Sequence, residues 1–278
     1  MQQSTISAEE VEKFSAIADE WWDLHGKFAP LHRINTVRIE YIKEQIIKHQ
    51  LANAGDKPLT GLKLLDIGSG GGLISEPMAR LGAEVTGVDA SSKNISVAKH
   101  HAEQSGLEID YRCTTAEDLV AKFNMGTRSE SGDEPVLSAS GQRAASCESQ
   151  ETLTEANQKF DVVLALEIVE HVADVELFVR SVTKLVKPGG LLIMSTINRT
   201  AKAYALAIIG AEYVLRWLPR GTHEWSKFVT PSELKALIEE AGGQIVHSTG
   251  MVMNPLTFKW SITERDLSVN YLLTATKG

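Results

Sequence analysis

The heptapeptide DIGSGGG, residues 66–72, directly follows the apolar run LKLL at residues 62–65. A short apolar run before a glycine-rich turn is typical of a buried strand that leads into a helix, and such turns let the backbone approach a nucleotide-like ligand closely. A dinucleotide fingerprint would place a further glycine where Leu73 stands, so the pyrophosphate-binding pattern is broken. The turn is either a cofactor site of another kind or only a tight connection between strand and helix.

Short apolar runs alternate with helical segments from residue 62 onwards. This alternation is typical of an α/β fold with a mostly parallel, doubly wound sheet that helices cover on both faces. We predict seven strands, at residues 62–67, 84–89, 109–113, 161–166, 191–197, 244–248 and 269–276. The string KPGG at 187–190 is expected to close one helix, and TPSE at 230–233 to open another with a capping box.

The first part of the chain, residues 1–50, is predicted to be a helical extension of this domain. Ser7 and Glu10 have the spacing of a capping box, which opens an amphipathic helix. A second helix is predicted over residues 34–49.

Arg38 interrupts the apolar stripe of the second predicted helix and therefore points inward. A buried arginine costs several kcal/mol unless it is paired, so Arg38 requires an anion. That anion is either the carboxylate of a bound ligand or a structural partner such as Asp66 or Glu40.

The domain organisation is predicted to be a single domain over residues 1–278 with two insertions. Residues 124–158 are rich in Ser, Glu, Gly and Gln, and they are too poor in large apolar residues to offset the entropy of ordering. They are predicted to be a disordered, low-complexity insertion that splits the domain without adding a second one. Residues 199–225 are predicted to be a helical insertion.

The charge balance restricts the class of partner. The chain has 28 Lys and Arg against 36 Asp and Glu, a formal net charge of −8, which argues against the broad cationic surface that nucleic-acid binding requires. Cys113 and Cys147 lack metal-ligand spacing and are interpreted as ordinary thiols of a reducing compartment. The N-terminal residues show neither an export signal nor the bias of a transit peptide.

Asp89 ends the second predicted strand, at roughly the ~20-residue offset from the glycine turn at which an acid is expected to bind ribose hydroxyls. Ala116 and Glu117 follow the third strand, where they are placed to meet an adenine ring. With Gly68, Gly70 and the seven-strand count, this pattern resembles that of S-adenosylmethionine-dependent methyltransferases. Their cofactor carries an amino acid and an adenosine but no phosphate, which suits a broken pyrophosphate fingerprint.

Two carboxylates and an imidazole follow the fourth predicted strand, at Glu167, Glu170 and His171. If a helix begins near Glu167, the three side chains share one face at the sheet edge where open α/β folds bind ligands. They are ligands of a hard cation such as Mg²⁺, a general base, or solvated charges that complement a helix dipole. A metal ion bridging two catechol oxygens would help to ionise a phenol, whose pKa is ordinarily near ~10. Imidazole is not a usual ligand of a hard cation, so His171 is either a ligand or a base.

The chain also carries several longer strings whose combination is restrictive. They are WWDL at 21–24, PLHRIN at 30–35, EIVEH at 167–171, LVKPGG at 185–190, STINR at 195–199, GAEY at 210–213, GTH at 221–223 and VNY at 269–271. Together they resemble the ubiquinone-biosynthesis O-methyltransferase family over nearly the whole chain except residues 124–158. The tryptophan pair and the LHRIN string are more specific than the glycine turn, which many methyltransferases share.

The resemblance implies transfer of methyl groups from S-adenosylmethionine to hydroxyls of a 2-polyprenyl-6-hydroxyphenol and a 3-demethylubiquinol. The implied cofactor-binding residues are Arg38, Gly68, Asp89 and Leu166, and the implied metal-binding residues, in members that carry them, are Glu167, Glu170 and His171. Other proteins of ubiquinone biosynthesis are expected partners. Two alternatives stay open: C-methylation of a quinone ring, and a peripheral lipid-binding scaffold without turnover.

Residues 203–218 are rich in Ala, Leu, Ile and Val but fall short of the ~20 residues that span a bilayer. The cations in or beside this segment are Arg199, Lys202, Arg216 and Arg220, and its aromatic residues are Tyr204, Tyr213 and Trp217. The segment either lies on an anionic membrane or packs into the core. His223, beside it, is placed either to face a substrate or to do nothing catalytic. The protein is expected to be cytoplasmic and peripheral on the inner membrane, or, in a eukaryote, on the matrix side of the mitochondrial inner membrane.

Overall fold

A computed structural model describes residues 5–126, 159–206, 224–254 and 257–278. The α-helices of these residues are α1 (Ala8–Ala16), α2 (Ala29–Lys48), α3 (Ser75–Arg80), α4 (Ser92–Gln104), α5 (Ala116–Gly126), α6 (Val175–Leu185), α7 (Ala201–Ala203) and α8 (Pro231–Glu240). The strands are β1 (Lys63–Ile67), β2 (Glu84–Asp89), β3 (Asp110–Cys113), β4 (Phe160–Leu166), β5 (Val186–Ile197), β6 (Gly243–Met253), β7 (Trp260–Thr263) and β8 (Asn270–Lys277).

The strands form one sheet in the order β3-β2-β1-β4-β5-β8-β6-β7. The first five of these strands are parallel, whereas β8 is antiparallel to both β5 and β6, and β7 is antiparallel to β6. All seven predicted strands are present, but the predicted count is wrong by one, because the described residues contain eight. The additional strand β7 is a four-residue edge strand that lacks the apolar run typical of the buried strands.

The core lies on both faces of the sheet because successive side chains of a strand point to opposite sides. In β4, Val163 and Ala165 pack with α5, α6 and α8 on one face. Val162 and Leu164 pack with α2 and α3 on the other. Burial on both faces explains why this strand has a continuous apolar run.

The ends of two predicted helices agree with their sequence signals. The side chains of Thr230 and Glu233 each bond the other's backbone, which completes the capping box of α8. α6 ends at Leu185, just before the KPGG string. The prediction of a capping box at α1 is wrong: Ser7 is the N-cap, but its side chain makes no cap hydrogen bond, and the Glu10 side chain bonds elsewhere.

Residues 127–158 and 207–223 lie outside the described part of the chain, and with them most of the predicted disordered insertion and of the predicted membrane-facing segment. α5 continues to Gly126, into the first residues of the predicted insertion. Among the helices of the described residues, none combines the length and apolar character needed to cross a bilayer.

The connections of the sheet change direction between β1 and β4, because β2 and β3 follow on one side and β5 on the other. Open α/β sheets bind their ligands at such a switch point, in the crevice beyond the carboxyl ends of the strands. The glycine turn after β1 and the acidic string after β4 therefore border the same crevice.

Candidate active site

The glycine turn is fastened to the end of β2 by backbone hydrogen bonds. The N–H groups of Gly68 and Ser69 donate to the carbonyl of Val88 at 2.8 and 3.0 Å. The N–H of Gly70 donates to a carboxylate oxygen of Asp89 at 3.0 Å. Gly70 has a φ of +53°, which side chains rarely adopt, and a Cβ there would collide with the indole of Trp21. Glycine is therefore required at this position by the packing of the chain itself as well as by its backbone conformation.

Asp89 stands at the carboxyl end of β2, as predicted, and is oriented by three donors. Besides Gly70, the backbone of Ser91 donates at 2.8 Å and the side-chain amide of Asn94 at 3.2 Å, both to the same oxygen. Burial raises the pKa of Asp89, and the hydrogen bonds from Ser91, Gly70 and Asn94 oppose that rise. A carboxylate held in this way is suited to accept hydrogen bonds from a pair of ligand hydroxyls.

A cavity of about 250 Å³ opens at this edge of the sheet. The predicted site residues that line it are Arg38, Gly68, Gly70, Asp89, Leu166, Glu167, Glu170 and His171. Residues that the sequence places far apart are therefore brought together around one ligand-sized space. Ala116 also lines the cavity, whereas both carboxylate oxygens of Glu117 accept hydrogen bonds from Thr5, at 2.7 to 2.9 Å.

Arg38 points inward, as predicted, and is only 3 % exposed. Its structural partner is neither Asp66 nor Glu40, and that part of the prediction is wrong. The guanidinium Nη2 lies 2.6 Å from Glu167 Oε1, and Nη1 donates to Asn35 at 3.1 Å. Its Nε is buried and has no hydrogen-bond partner among the described residues.

The acidic string after β4 does not form the predicted α-helix. Glu167 has a φ of +51°, and residues 169–171 form a single 3₁₀ turn before the chain becomes extended. The positive φ of Glu167 is strained for a residue with a side chain, and such strain is characteristic of functional sites. The three side chains still reach one cavity, but they do so through this kink and not through the spacing of a helix face.

The two carboxylates of the string have different surroundings. Glu167 accepts a hydrogen bond from Ser195 at 2.8 Å and one from Asn270 at 3.3 Å, in addition to its contact with Arg38. Glu170 is 3 % exposed and accepts from Thr196 at 2.8 Å. Burial and the neighbouring Glu167 raise the pKa of Glu170.

His171 is held by Glu10, a residue of α1 that the sequence pattern assigned to helix capping. The Nδ1 atom of the ring lies 3.0 Å from Glu10 Oε2. Burial alone would lower the pKa of His171, but the hydrogen bond that His171 donates to Glu10 and the charge of Glu170 outweigh burial and raise that pKa. Burial would raise the pKa of Glu10, but the contact with His171 and the nearby Lys13 together outweigh burial and lower that pKa to about 2. Glu10 is a site residue that was not predicted from the sequence, because the polar Ala-Glu-Glu stretch at the start of α1 is typical of a solvent-exposed helix end.

The tryptophan pair of residues 21–22 fastens the N-terminal region to the glycine turn. The indole N–H of Trp22 donates to the carbonyl of Gly71 at 2.9 Å. The ring of Trp22 is stacked on His101, with centroids 3.5 Å apart, and His101 in turn contacts the buried Glu76 at 2.5 Å. The N-terminal region is therefore part of the site and not a separate appendage.

The described residues contain no group of three or more His, Cys, Asp or Glu side chains arranged to hold a metal ion. Glu167 and His171 are instead engaged with Arg38 and Glu10. His223 lies outside the described residues.

The chain is similar to known methyltransferases. A methyltransferase domain family matches residues 39–248. The ubiquinone biosynthesis O-methyltransferase of Ruegeria sp. (strain TM1040) is 52 % identical over 278 residues, which is 100 % of this chain and 99 % of that protein. The ubiquinone biosynthesis O-methyltransferase of Brucella anthropi is 51 % identical over 273 residues, which is 98 % of this chain and 96 % of that protein.

Solved structures with the same fold are more distant in sequence. The magnesium protoporphyrin IX methyltransferase of Synechocystis PCC 6803, solved with bound S-adenosylhomocysteine, has a TM-score of 0.54 and 17 % identity, with 95 % of this chain and 99 % of that one covered. A Thermotoga maritima protein described as a possible histamine N-methyltransferase has a TM-score of 0.56 and 16 % identity, with 97 % and 100 % covered. These likenesses establish the S-adenosylmethionine-dependent methyltransferase fold.

Proposed function

The chain belongs to the ubiquinone biosynthesis O-methyltransferase family, and from this premise we propose which residues bind its cofactor and carry its reaction. It is an S-adenosylmethionine-dependent O-methyltransferase of ubiquinone biosynthesis. Its proposed substrates are polyprenylated phenol and hydroquinone intermediates, at both O-methylation steps. The observation that carries the assignment of residues is that Arg38, Asp89 and His171 line one cavity at the carboxyl edge of the sheet.

The cavity offers groups that complement both ends of S-adenosylmethionine. Asp89 presents a carboxylate to the ribose hydroxyls, and Gly68, Gly70 and Leu166 form the wall beside it. Arg38 is proposed to bind the methionine carboxylate, because its Nε is buried without an acceptor among the described residues. A buried donor left in this state costs about 1–3 kcal/mol, which a ligand carboxylate would offset.

His171 is the proposed general base. Bound S-adenosylmethionine supplies a methyl group on a sulfonium, which an aromatic hydroxyl attacks in line as it loses its proton. Glu10 accepts a hydrogen bond from Nδ1 of His171, which selects the tautomer that takes up a proton at Nε2. The carboxylate of Glu10 then stabilises the imidazolium that forms.

A magnesium ion held by Glu167, Glu170 and His171 is a separate prediction, and the present arrangement of these side chains does not fit it. Glu167 lies against the guanidinium of Arg38, which already supplies a positive charge. A metal ion would have to displace that guanidinium, so we derive no step through it. Titration of Mg²⁺ into the protein by calorimetry, with and without S-adenosylhomocysteine, tests whether a ligand that engages Arg38 releases Glu167 for an ion.

The segment over residues 199–225 is proposed to contact an anionic membrane surface, from which a polyprenyl substrate would enter. Tyr204, Leu206 and Trp225, which flank the part outside the described residues, are 44 %, 50 % and 44 % exposed. Exposed apolar and aromatic side chains suit the interface of a bilayer. The cations Arg199 and Lys202 contact Glu233 and Asp266, so attraction to anionic lipid would depend on Arg216 and Arg220.

Co-sedimentation with phosphatidylglycerol vesicles tests the membrane proposal. Leu206→Ser is expected to reduce vesicle binding, whereas Ile47→Ser, which changes a similarly exposed residue on α2, is the matched control. Equal binding of the two variants would contradict the proposal. If it holds, the protein is peripheral on the inner membrane of a bacterium, or on the matrix side of the mitochondrial membrane in a eukaryote, where other proteins of ubiquinone biosynthesis would be its partners.

Product analysis tests the reaction itself. The protein is incubated with S-adenosylmethionine carrying a deuterated methyl group and with a short-tailed 3-demethylubiquinol, and the label is located by NMR. We expect the label on oxygen; label on a ring carbon would indicate a C-methyltransferase, and cofactor binding without transfer a scaffold. His171→Gln is expected to lower kcat by about 10²–10⁴-fold, whereas His100→Gln, on the exposed face of α4, controls for the loss of an imidazole.

A further inference from the structure

Trp21 packs directly against the glycine turn and is almost fully buried, at 8 % exposed. Its indole is stacked on Phe28, with ring centroids 3.7 Å apart and planes 7° from parallel. A Cβ at either Gly70 or Gly71 would collide with the indole. The ring therefore forms the wall behind the turn, and its stacking on Phe28 holds its position.

The indole N–H of Trp21 is used in a hydrogen-bond chain that ends on Asp89. It donates to the side-chain oxygen of Asn94 at 3.0 Å, in a buried contact. The amide nitrogen of Asn94 donates to Asp89 Oδ1 at 3.2 Å. An indole can only donate, so it selects the amide orientation in which the oxygen of Asn94 faces the ring. The amide nitrogen is thereby presented to the carboxylate.

This series of hydrogen bonds matters because a buried carboxylate such as Asp89 stays ionised only if hydrogen-bond donors stabilise its charge. Burial raises its pKa, and the hydrogen bond from Asn94 is one of three that oppose the rise. If Asn94 were free to turn its amide, its oxygen would face the carboxylate in a fraction of molecules and repel it. Trp21 removes that freedom, and it does so from a region outside the strands and turn that form the crevice.

We infer that Trp21 is a positioning residue for the ribose of the cofactor, acting through Asn94 on Asp89. The inference rests on the proposed role of Asp89. It assigns to the first tryptophan of the pair a role in cofactor selectivity and not only in packing. If the role of Trp21 is purely structural, replacing it should weaken the binding of every ligand of the cavity alike. If Trp21 acts through Asp89, replacing it should weaken the binding only of ligands that carry ribose hydroxyls.

Calorimetric titration with two probes separates these roles: S-adenosylhomocysteine and its 2′,3′-dideoxy analogue. Trp21→Phe keeps an aromatic ring against Phe28 but removes the donor to Asn94. This substitution is expected to weaken the binding of S-adenosylhomocysteine about tenfold, because the loss of one hydrogen bond of about 1.4 kcal/mol corresponds to a factor of ten. The affinity for the dideoxy analogue is expected to change less than about twofold. Trp260→Phe, in β7, makes the same substitution away from the cavity and is expected to leave both affinities unchanged.

Two further variants decide between the outcomes. Asn94→Ala removes the middle of the chain without altering the aromatic wall, and it should reproduce the selective loss even if Trp21→Phe is poorly folded. Asp89→Asn should be selective for the same probe. If Asp89→Asn is selective but the Trp21 and Asn94 variants weaken both probes equally, or neither, the inference is wrong and the role of Asp89 stands. If Asp89→Asn is not selective, the ribose assignment fails and the inference fails with it.

Discussion

The buried carboxyl of Asp66 predicts a pH dependence of folding stability that a single substitution removes. Asp66 lies in β1 between the buried residues Leu65 and Ile67, is 3 % exposed, and accepts a hydrogen bond from Ser75 at 2.6 Å. Burial raises its pKa from 3.8 to about 6; the hydroxyl of Ser75 opposes the rise and the charge of Asp89 adds to it. A tenfold change in acidity corresponds to about 1.4 kcal/mol, so the difference between 3.8 and about 6 corresponds to about 3 kcal/mol.

The sign of this effect depends on whether the folded or the unfolded chain binds the proton of Asp66 more tightly. Asp66 has a higher pKa in the folded than in the unfolded chain, so folding takes up a proton between pH 3.8 and about 6. Its contribution to stability is therefore fully present below the lower of these values and is lost as the pH rises through the higher one. The side chain of Asn does not titrate, so in Asp66→Asn the change of unfolding free energy with pH that is due to this position disappears.

Urea unfolding of both proteins from pH 4 to pH 8 measures this difference. The stability of the wild type relative to Asp66→Asn is expected to fall by about 2 kcal/mol between pH 4 and pH 8, because part of the full effect is already lost at pH 4, and most of the change should be complete by pH 7. Asp110→Asn, on the exposed part of β3, controls for the removal of a negative charge. A constant difference between wild type and Asp66→Asn at all pH values would refute the reasoning.

Three shorter predictions concern the rest of the site. Gly70→Ala is expected to cost about 1–3 kcal/mol in thermal unfolding, because its φ is +53° and its Cβ would strike Trp21; an unchanged midpoint would contradict the packing. Glu10→Gln removes the charge that raises the pKa of His171, so the acidic limb of the pH profile of kcat should move to lower pH, and a stationary limb would exclude His171 as the base. Arg38→Met leaves the partly buried carboxylate of Glu167 without its cationic partner and should cost about 1–3 kcal/mol in urea unfolding, with weaker binding of S-adenosylhomocysteine; normal affinity would contradict the proposed role of Arg38.

Most of the parallel sheet was predictable because its strands are buried on both faces. Such strands carry uninterrupted apolar runs, and β2 has the predicted bounds, Glu84–Asp89. β7 carries no comparable signal, since an edge strand is half exposed and needs only a few apolar residues. The inward direction of Arg38 was also predictable, because helical periodicity alone places it on the apolar face of α2.

The partners of the site residues were not predictable, because they depend on contacts between distant parts of the chain. Glu10 and His171 are 161 residues apart, and local spacing suggested capping for one and a helix face for the other. Glu167 contacts Arg38 because the backbone is kinked at Glu167, where φ is positive, and no local sequence pattern predicts this kink. Sequence reasoning identified which residues reach the cavity but not how they pair within it.

A crystal structure of the complex with S-adenosylhomocysteine tests most directly whether the cofactor binds in the cavity at the carboxyl ends of β1, β2 and β4. We expect the ribose hydroxyls within hydrogen-bond distance of Asp89, the carboxylate of the amino-acid moiety at Arg38, and the sulfur facing the space beside His171. A ligand whose ribose lies away from Asp89 and whose carboxylate does not approach Arg38 would contradict this expectation.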